Sequence, residues 1–153
     1  RGLSMKISYA DFEKTMRDKL ERDGGKSQLT MINGGIMNLW LSDSKNGIIN
    51  SRYSSLNCEF KILYAIYEKA VSLGGEMYLG ANAAQNGQKI GGDGFPVDTI
   101  DAFISINFYG KKIGDKTMRR STYYAAILDW AGFVTNNRGG TITIKKEFMS
   151  EDS

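Results

Sequence analysis

Residues 98–148, DTIDAFISINFYGKKIGDKTMRRSTYYAAILDWAGFVTNNRGGTITIKKEF, change their hydrophobic period from helical to alternating and so decide the fold of the C-terminal half. Asp98 offers an N-cap with an acidic residue, Asp101, three positions on, and Ile100, Phe103, Ile104 and Phe108 follow at helical spacing. Gly110 and Gly114 then punctuate a short turn that holds Lys111 and Lys112, after which Asp115 or Thr117 caps a second helix running to Trp130 or Ala131. Gly132 stops it. In this second helix Tyr124, Ile127, Leu128 and Ala131 share one face, while Arg119, Arg120, Ser121 and Thr122 occupy the first turns. Phe133-Val134 begins a strand, Asn136 to Gly140 tolerates positive φ, and Thr141 to Lys145 alternates with the period of a half-buried strand. Arg138 stands at the tip of this hairpin.

Charge is concentrated in the same stretch. From Gly110 to Lys146 there are eight basic residues (Lys111, Lys112, Lys116, Arg119, Arg120, Arg138, Lys145, Lys146) against two acidic ones, Asp115 and Asp129, whereas the whole chain carries only +3. A general surplus of lysine cannot produce this local excess; a patch of this kind is the electrostatic footprint of phosphate binding, and its bland counterpart is the solvated face of an ordinary helix.

Helix, turn, helix and glycine-tipped hairpin is the layout of a winged helix-turn-helix. Arg119, Tyr123-Tyr124, Trp130 and Gly132-Phe133 resemble the Arg-x-x-x-Tyr-Tyr pattern, with its later aromatic and Gly-hydrophobic ending, of winged-helix modules that accompany bacterial restriction endonucleases and related defence proteins. The similarity covers about a third of the chain and departs from the pattern at Ile127 and Ala131, two opposite size changes. It implies a non-enzymatic domain that binds double-stranded DNA, as the recognition module of a bacterial restriction or defence system or as a transcriptional regulator. A recognition helix presents its N-terminal residues to the major groove, so Thr117, Arg119, Arg120, Ser121, Thr122 and Tyr123 are the expected groove contacts. Lys111, Lys112, Lys116, Lys145 and Lys146 are expected on phosphates, and Arg138 on the backbone or in the minor groove. Arginine suits the specific contacts because its planar fork binds guanine edges or phosphate oxygens in pairs.

The 153 residues suffice for one domain with a sizeable core or for two small lobes sharing one, and hydrophobic and charged contents of 41% and 24% are those of an ordinary globular chain. No apolar run approaches the length of a membrane span, and no secretory signal precedes the first helix, which points to the cytoplasm. Arg1-Gly2-Leu3-Ser4 has the look of a cloning remnant, with Met5 as the natural start. Cys58 is the single cysteine, a small core residue in a reducing compartment. The absence of histidine excludes Ser-His-Asp triads, histidine-dependent nuclease centres and Cys/His zinc sites, and no cofactor is implied.

In the N-terminal half Ser8 caps a helix from Tyr9 to about Arg22 that buries Phe12, Met16 and Leu20, and Gly24-Gly25 ends it. Leu29 to Ile32 and Ile36 to Leu41 read as strands about the turn Asn33-Gly34-Gly35, and Asn46-Gly47 signals a hairpin into Ile48-Ile49. A helix from Leu56 or Asn57 to Leu73 follows, closed by Gly74-Gly75. Glu76 to Leu79 then supplies a short strand to pair with the hairpin. The expected class is α+β: residues 1–55 form the N-terminal helix and a small antiparallel meander, and residues 56–148 form the winged-helix core, packed with them as one unit. The connection from Gly80 to Pro96 is long enough to be functional or mobile, with Gln85, Asn86, Gln88 and Lys89 within reach of a DNA groove. Trp40, Phe103, Phe108 and Trp130 are expected in the core, and of the adjacent pair Tyr123 and Tyr124 the second is expected inside.

Two other classes stay open. Asp43 with Glu59-Phe60-Lys61 imitates the acidic pair and lysine of a metal-dependent nuclease, but Glu59 and Lys61 fall at a helix start, where positions two apart diverge. The alternative without catalysis is a protein-interaction module, or a homodimer, using the basic surface on an acidic partner. Gly91-Gly92-Asp93-Gly94 lacks the Gly-Lys-Ser/Thr ending of a nucleotide-binding loop and is a turn or hinge.

Overall fold

A computed structural model describes residues 6–149, so the Met5 start lies outside the described residues. Among them the chain is mixed α+β, with five helices and two small antiparallel sheets. Helix α1 (Tyr9–Arg22) starts where Ser8 predicts: its Oγ accepts the Asp11 N–H at 3.1 Å, and Phe12, Met16 and Leu20 face inward. The meander follows as β1 (Lys26–Thr30), β2 (Ile36–Leu41), β3 (Gly47–Asn50) and β4 (Asn57–Glu59), paired in that order. The Asn46-Gly47 pair ends a longer loop instead of forming a two-residue turn. Asn46 Oδ1 gathers donors from Ser42, Ser44 and Asn57, and Lys45 takes the positive φ.

Asn57–Glu59 corrects the expected helix start at Leu56 or Asn57. These residues complete the free edge of β3, with Ile48 opposite Cys58, and helix α2 (Phe60–Ser72) begins only after them. Cys58 is fully buried, as expected of a small core residue. Strand β5 (Glu76–Tyr78) pairs with β7 (Thr141–Ile144), which also pairs with β6 (Val134–Asn137), giving the order β5-β7-β6. The short strand after α2 thus joins the glycine-tipped hairpin as its sequence predicts.

The long connection after β5 is neither a bare loop nor a free arm. It contains α3 (Ala81–Gln85) and folds Ala83, Ala84, Ile90 and Phe95 onto Ala102 as a small second core. Gly80 makes that fold-back possible: its φ is +75°, and a Cβ there would stand 2.7 Å from Thr99 Oγ1 and 3.0 Å from the Phe95 ring. Both the conformation and the space exclude a side chain. Gly80→Ala is therefore expected to lower unfolding free energy by about 1–2 kcal/mol, checked by urea titration, where Gly110→Ala, at positive φ but in open space, serves as the comparison.

Helix α4 (Ile100–Phe108) is capped by Thr99, not by the expected Asp98, which instead pairs with Lys69 at 3.2 Å. Helix α5 (Ser121–Trp130) is shorter than its sequence predicts at the N-terminal end. Tyr124, Ala125, Ile127 and Leu128 are wholly buried, so α5 is the central helix of the core. Tyr123 is half-buried beside it, edge-on to Tyr53 at 5.6 Å. The principal core is continuous across both sheets: Phe133 stacks on Phe12 at 4.4 Å and meets Phe148 edge-on. Trp130 is buried, whereas Phe103 and Phe108, expected inside, are half-buried against the core's margin, and Trp40, also expected inside, is half-buried on β2.

Candidate nucleic-acid interface

The short turn expected between the two C-terminal helices is an extended connection, residues 109–120, and its form follows from one buried carboxylate. Asp101 projects from the first turn of α4, fully buried. Its Oδ1 accepts the backbone N–H groups of Arg120 and Ser121 at 2.8 and 2.9 Å, and its Oδ2 accepts the Ser121 hydroxyl at 2.5 Å. It thereby caps α5 from outside the helix's own sequence, satisfying donors that a helix start leaves open. Burial pushes the Asp101 carboxyl above its ordinary range, against the pull of the three hydrogen bonds. Asp115 and Thr117, the expected caps, are engaged elsewhere. Asp115 Oδ2 accepts the Lys112 N–H within a tight turn, and the Thr117 hydroxyl meets Ser105 Oγ at 2.8 Å inside the protein.

This arrangement divides the sequence-predicted groove residues. Thr117 and Ser121 are buried and partnered, so they hold the connection in place and present nothing to a ligand. Arg120 is half-buried with its guanidinium 3.7 Å from the Tyr109 ring centroid, a cation–π contact, and Tyr109 in turn bonds the buried Tyr124 hydroxyl at 2.6 Å. Burial raises the pKa of both phenols and of the buried Cys58 thiol. Thr122 is half-buried where α5 borders a cleft beside the hairpin. Arg119 alone of the two arginines is exposed, and it donates to Gln85 Oε1 at 3.0 Å.

Lys111, Lys112, Lys116 and Arg119 are brought together with the segment after α3. Ile90 N–H bonds Asp115 O at 2.9 Å and Gly114 N–H bonds Ile90 O at 2.8 Å, so residues 85–91 and 111–119 lie side by side. Lys116 Nζ lies beside Gly87, and Lys89 is exposed on the same segment. Among the described residues the ion pairs engage Lys6, Lys14, Arg17, Lys61 and Lys69; none engages a cation of this face. With Lys89, the face thus gathers five cations around a single carboxylate of the connection, Asp115, and carries a local excess of positive charge.

Arg138 is exposed at the hairpin tip as expected. Leu79 N–H bonds Gly140 O at 2.8 Å immediately before α3, and α3 ends at Gln85 beside Arg119, so this helix of roughly 7 Å, at 1.5 Å per residue, links the tip to the basic face. Two clefts, of about 360 and 620 Å³, flank the tip and share Leu79, Gly139 and Gly140. Lys145 and Lys146 are not brought in. Lys145 N–H bonds Phe133 O at the base of the hairpin, and the four residues of β6 set that base roughly 13 Å from the tip at about 3.3 Å per residue.

Glu59 and Lys61 of the nuclease imitation pair with each other at 3.6 Å, Glu59 at the end of β4 and Lys61 in the first turn of α2. Asp43 lies in the loop between β2 and β3, and among the described residues no three acidic or cysteine side chains gather in a way that could hold a metal. No described helix is long and apolar enough to cross a membrane. The residue that sequence reasoning missed is Asp101, which it took for a helix-start signal. Its trace was a polar pair, Asp101 and Ser105, four apart among the otherwise apolar buried residues of the helix. The chain matches no family model, no curated protein and no solved structure.

Proposed function

We propose that this chain is a double-stranded DNA-binding module of the winged-helix type, acting without catalysis as the recognition part of a bacterial defence system or of a transcriptional regulator. The observation that carries the reading is the basic face of Lys89, Lys111, Lys112, Lys116 and Arg119, which outnumber its one carboxylate, Asp115, and which α3 joins to Arg138. The element order supports the fold type: helix, strand, helices and a hairpin whose second strand pairs with the first. The proposed docking differs from a standard recognition helix. Seven of the ten residues of α5 are buried, so the connection 109–119 and the hairpin tip meet the duplex, and α5 supports them from behind. Lysines there neutralise phosphates, and Arg119 and Arg138 are the side chains able to fork onto base edges or enter the minor groove.

The test is titration of a labelled duplex with the protein at several salt concentrations. Neutralising about five phosphates predicts a fall in affinity of several-hundredfold between 50 and 200 mM salt, since each contact contributes about 0.9 to the slope of log K against log salt. Affinity that holds constant across that range, with tight salt-sensitive binding to an acidic protein surface instead, would transfer the basic face to the protein-interaction reading.

A further inference from the structure

The most exposed large hydrophobic side chain among the described residues is Ile113, 70% accessible at the tip of the basic turn, with Lys111 and Lys112 immediately before it. Single exposed aliphatic residues are ordinary on mobile loops. This one is held on a braced turn. Lys111 N–H bonds Ser105 O at 3.0 Å, Lys112 N–H bonds Asp115 Oδ2 at 2.8 Å, Asp115 N–H returns to Lys112 O at 3.0 Å, and Gly114 is tied to Ile90. Gly110 and Gly114 take the positive φ values that sharpen the bend. One edge of Ile113 rests on Gly91, where a Cβ would stand 2.9 Å from its Cγ2, so the isoleucine is braced on that side and open on the other. Met118, 45% accessible, adds a second apolar side chain to the same connection.

We infer that Ile113 is a wedge that enters the minor groove and partly unstacks one base step, bending the duplex, while Lys111, Lys112 and Lys116 hold the phosphates around it. The inference rests on the DNA-binding reading above and adds to it a mode of engagement. A braced aliphatic tip among cations supplies what such insertion needs: an apolar surface to replace base stacking, a support that does not yield, and charge to hold the backbone as it kinks. Pyrimidine–purine steps, which unstack most easily, are the preferred target. Net affinity owes little to the wedge, because burial of the isoleucine is offset by the unstacking it causes.

The experiment uses duplexes of about 30 base pairs containing TA and CA steps, end-labelled for energy transfer to report bending, and a parallel set with 2-aminopurine replacing adenine at those steps. The full chain is expected to bend the duplex by roughly 20–90° and to raise 2-aminopurine fluorescence at one step. Ile113→Ser, a change at an exposed site, should abolish both signals, lower affinity by less than about tenfold and leave the salt slope intact, while Ile113→Leu retains both signals. Duplex binding with neither bending nor a fluorescence rise overturns the wedge and leaves the DNA reading standing. Absence of duplex binding overturns the DNA reading and the wedge with it. Binding to vesicles of phosphatidylcholine and phosphatidylserine that Ile113→Ser abolishes, with no bending of DNA, overturns the wedge in favour of a lipid-inserting tip.

Discussion

Asp101→Leu is expected to destabilise the protein by about 3 kcal/mol. The leucine fills much of the volume but leaves two backbone N–H groups and one hydroxyl without acceptors in a buried site, and each orphaned donor costs roughly 1–3 kcal/mol, less the benefit of no longer burying a charge. Asp101→Asn retains one oxygen for the two N–H groups and should cost less than half as much. The two variants also separate the hydrogen bonds from the charge. Because burial raises the Asp101 pKa in the folded state, the folded chain keeps a proton that the unfolded chain releases in the window just above the ordinary aspartate range. Stability contributed by this group is therefore greatest at low pH and falls as pH rises through that window, the opposite of a carboxylate in an exposed ion pair. Urea titrations at a series of pH values check both points: Asp101→Asn should flatten this part of the profile. An Asp101→Leu protein as stable as the parent would show that α5 does not depend on the cap, and with it that the form of residues 109–120 has another cause.

The same carboxylate explains where the sequence misled. Helix α1, the strand Ile36–Leu41, the hairpin around Arg138 and its pairing with the strand after α2 were legible because each is encoded locally, by Ser8, by alternating periodicity and by glycine at the turns, whereas the first strand, expected at Leu29–Ile32, lies at Lys26–Thr30. The start of α5 was not. Lys116 to Arg120 has no residue that forbids a helix, and a caps-and-period reading extends the helix back to Asp115 or Thr117. What ends it at Ser121 is a contact from Asp101 in the preceding helix and the burial of Thr117 against Ser105, both nonlocal. The strand Asn57–Glu59 was hidden for the same reason, since only the open edge of β3 makes it a strand. For the site, the basic residues were legible as a count but not as a surface. Tertiary structure divides the eight cations into a group of four on one connection, an arginine stacked on Tyr109, a hairpin tip and a distant pair at the hairpin base.

That division yields the prediction with the largest effect on binding. Replacing Lys111, Lys112, Lys116 and Arg119 together by alanine should lower the salt slope of duplex binding by about 3.6, and affinity at 0.15 M salt by about a thousandfold, if each cation releases one phosphate counterion. Among the described residues the four side chains make no ion pair and only Arg119 makes a side-chain hydrogen bond, to Gln85, so the variant should keep the parent's unfolding midpoint closely enough to exclude a folding effect. Lys145→Ala with Lys146→Ala is the matched control. It removes two positive charges from the same chain, but at the base of the hairpin, away from the tip and the α3 link, and should change the slope by much less than the roughly 1.8 that two phosphate contacts would contribute. Arg138→Ala separates the tip: loss confined to A·T-rich duplexes places it in the minor groove, whose narrowness attracts arginine, and a uniform loss places it on phosphates. Equal losses from the quadruple variant per charge and from the hairpin-base pair would mean that attraction is spread over the molecule's field, and the basic face would then have no special claim as the docking surface.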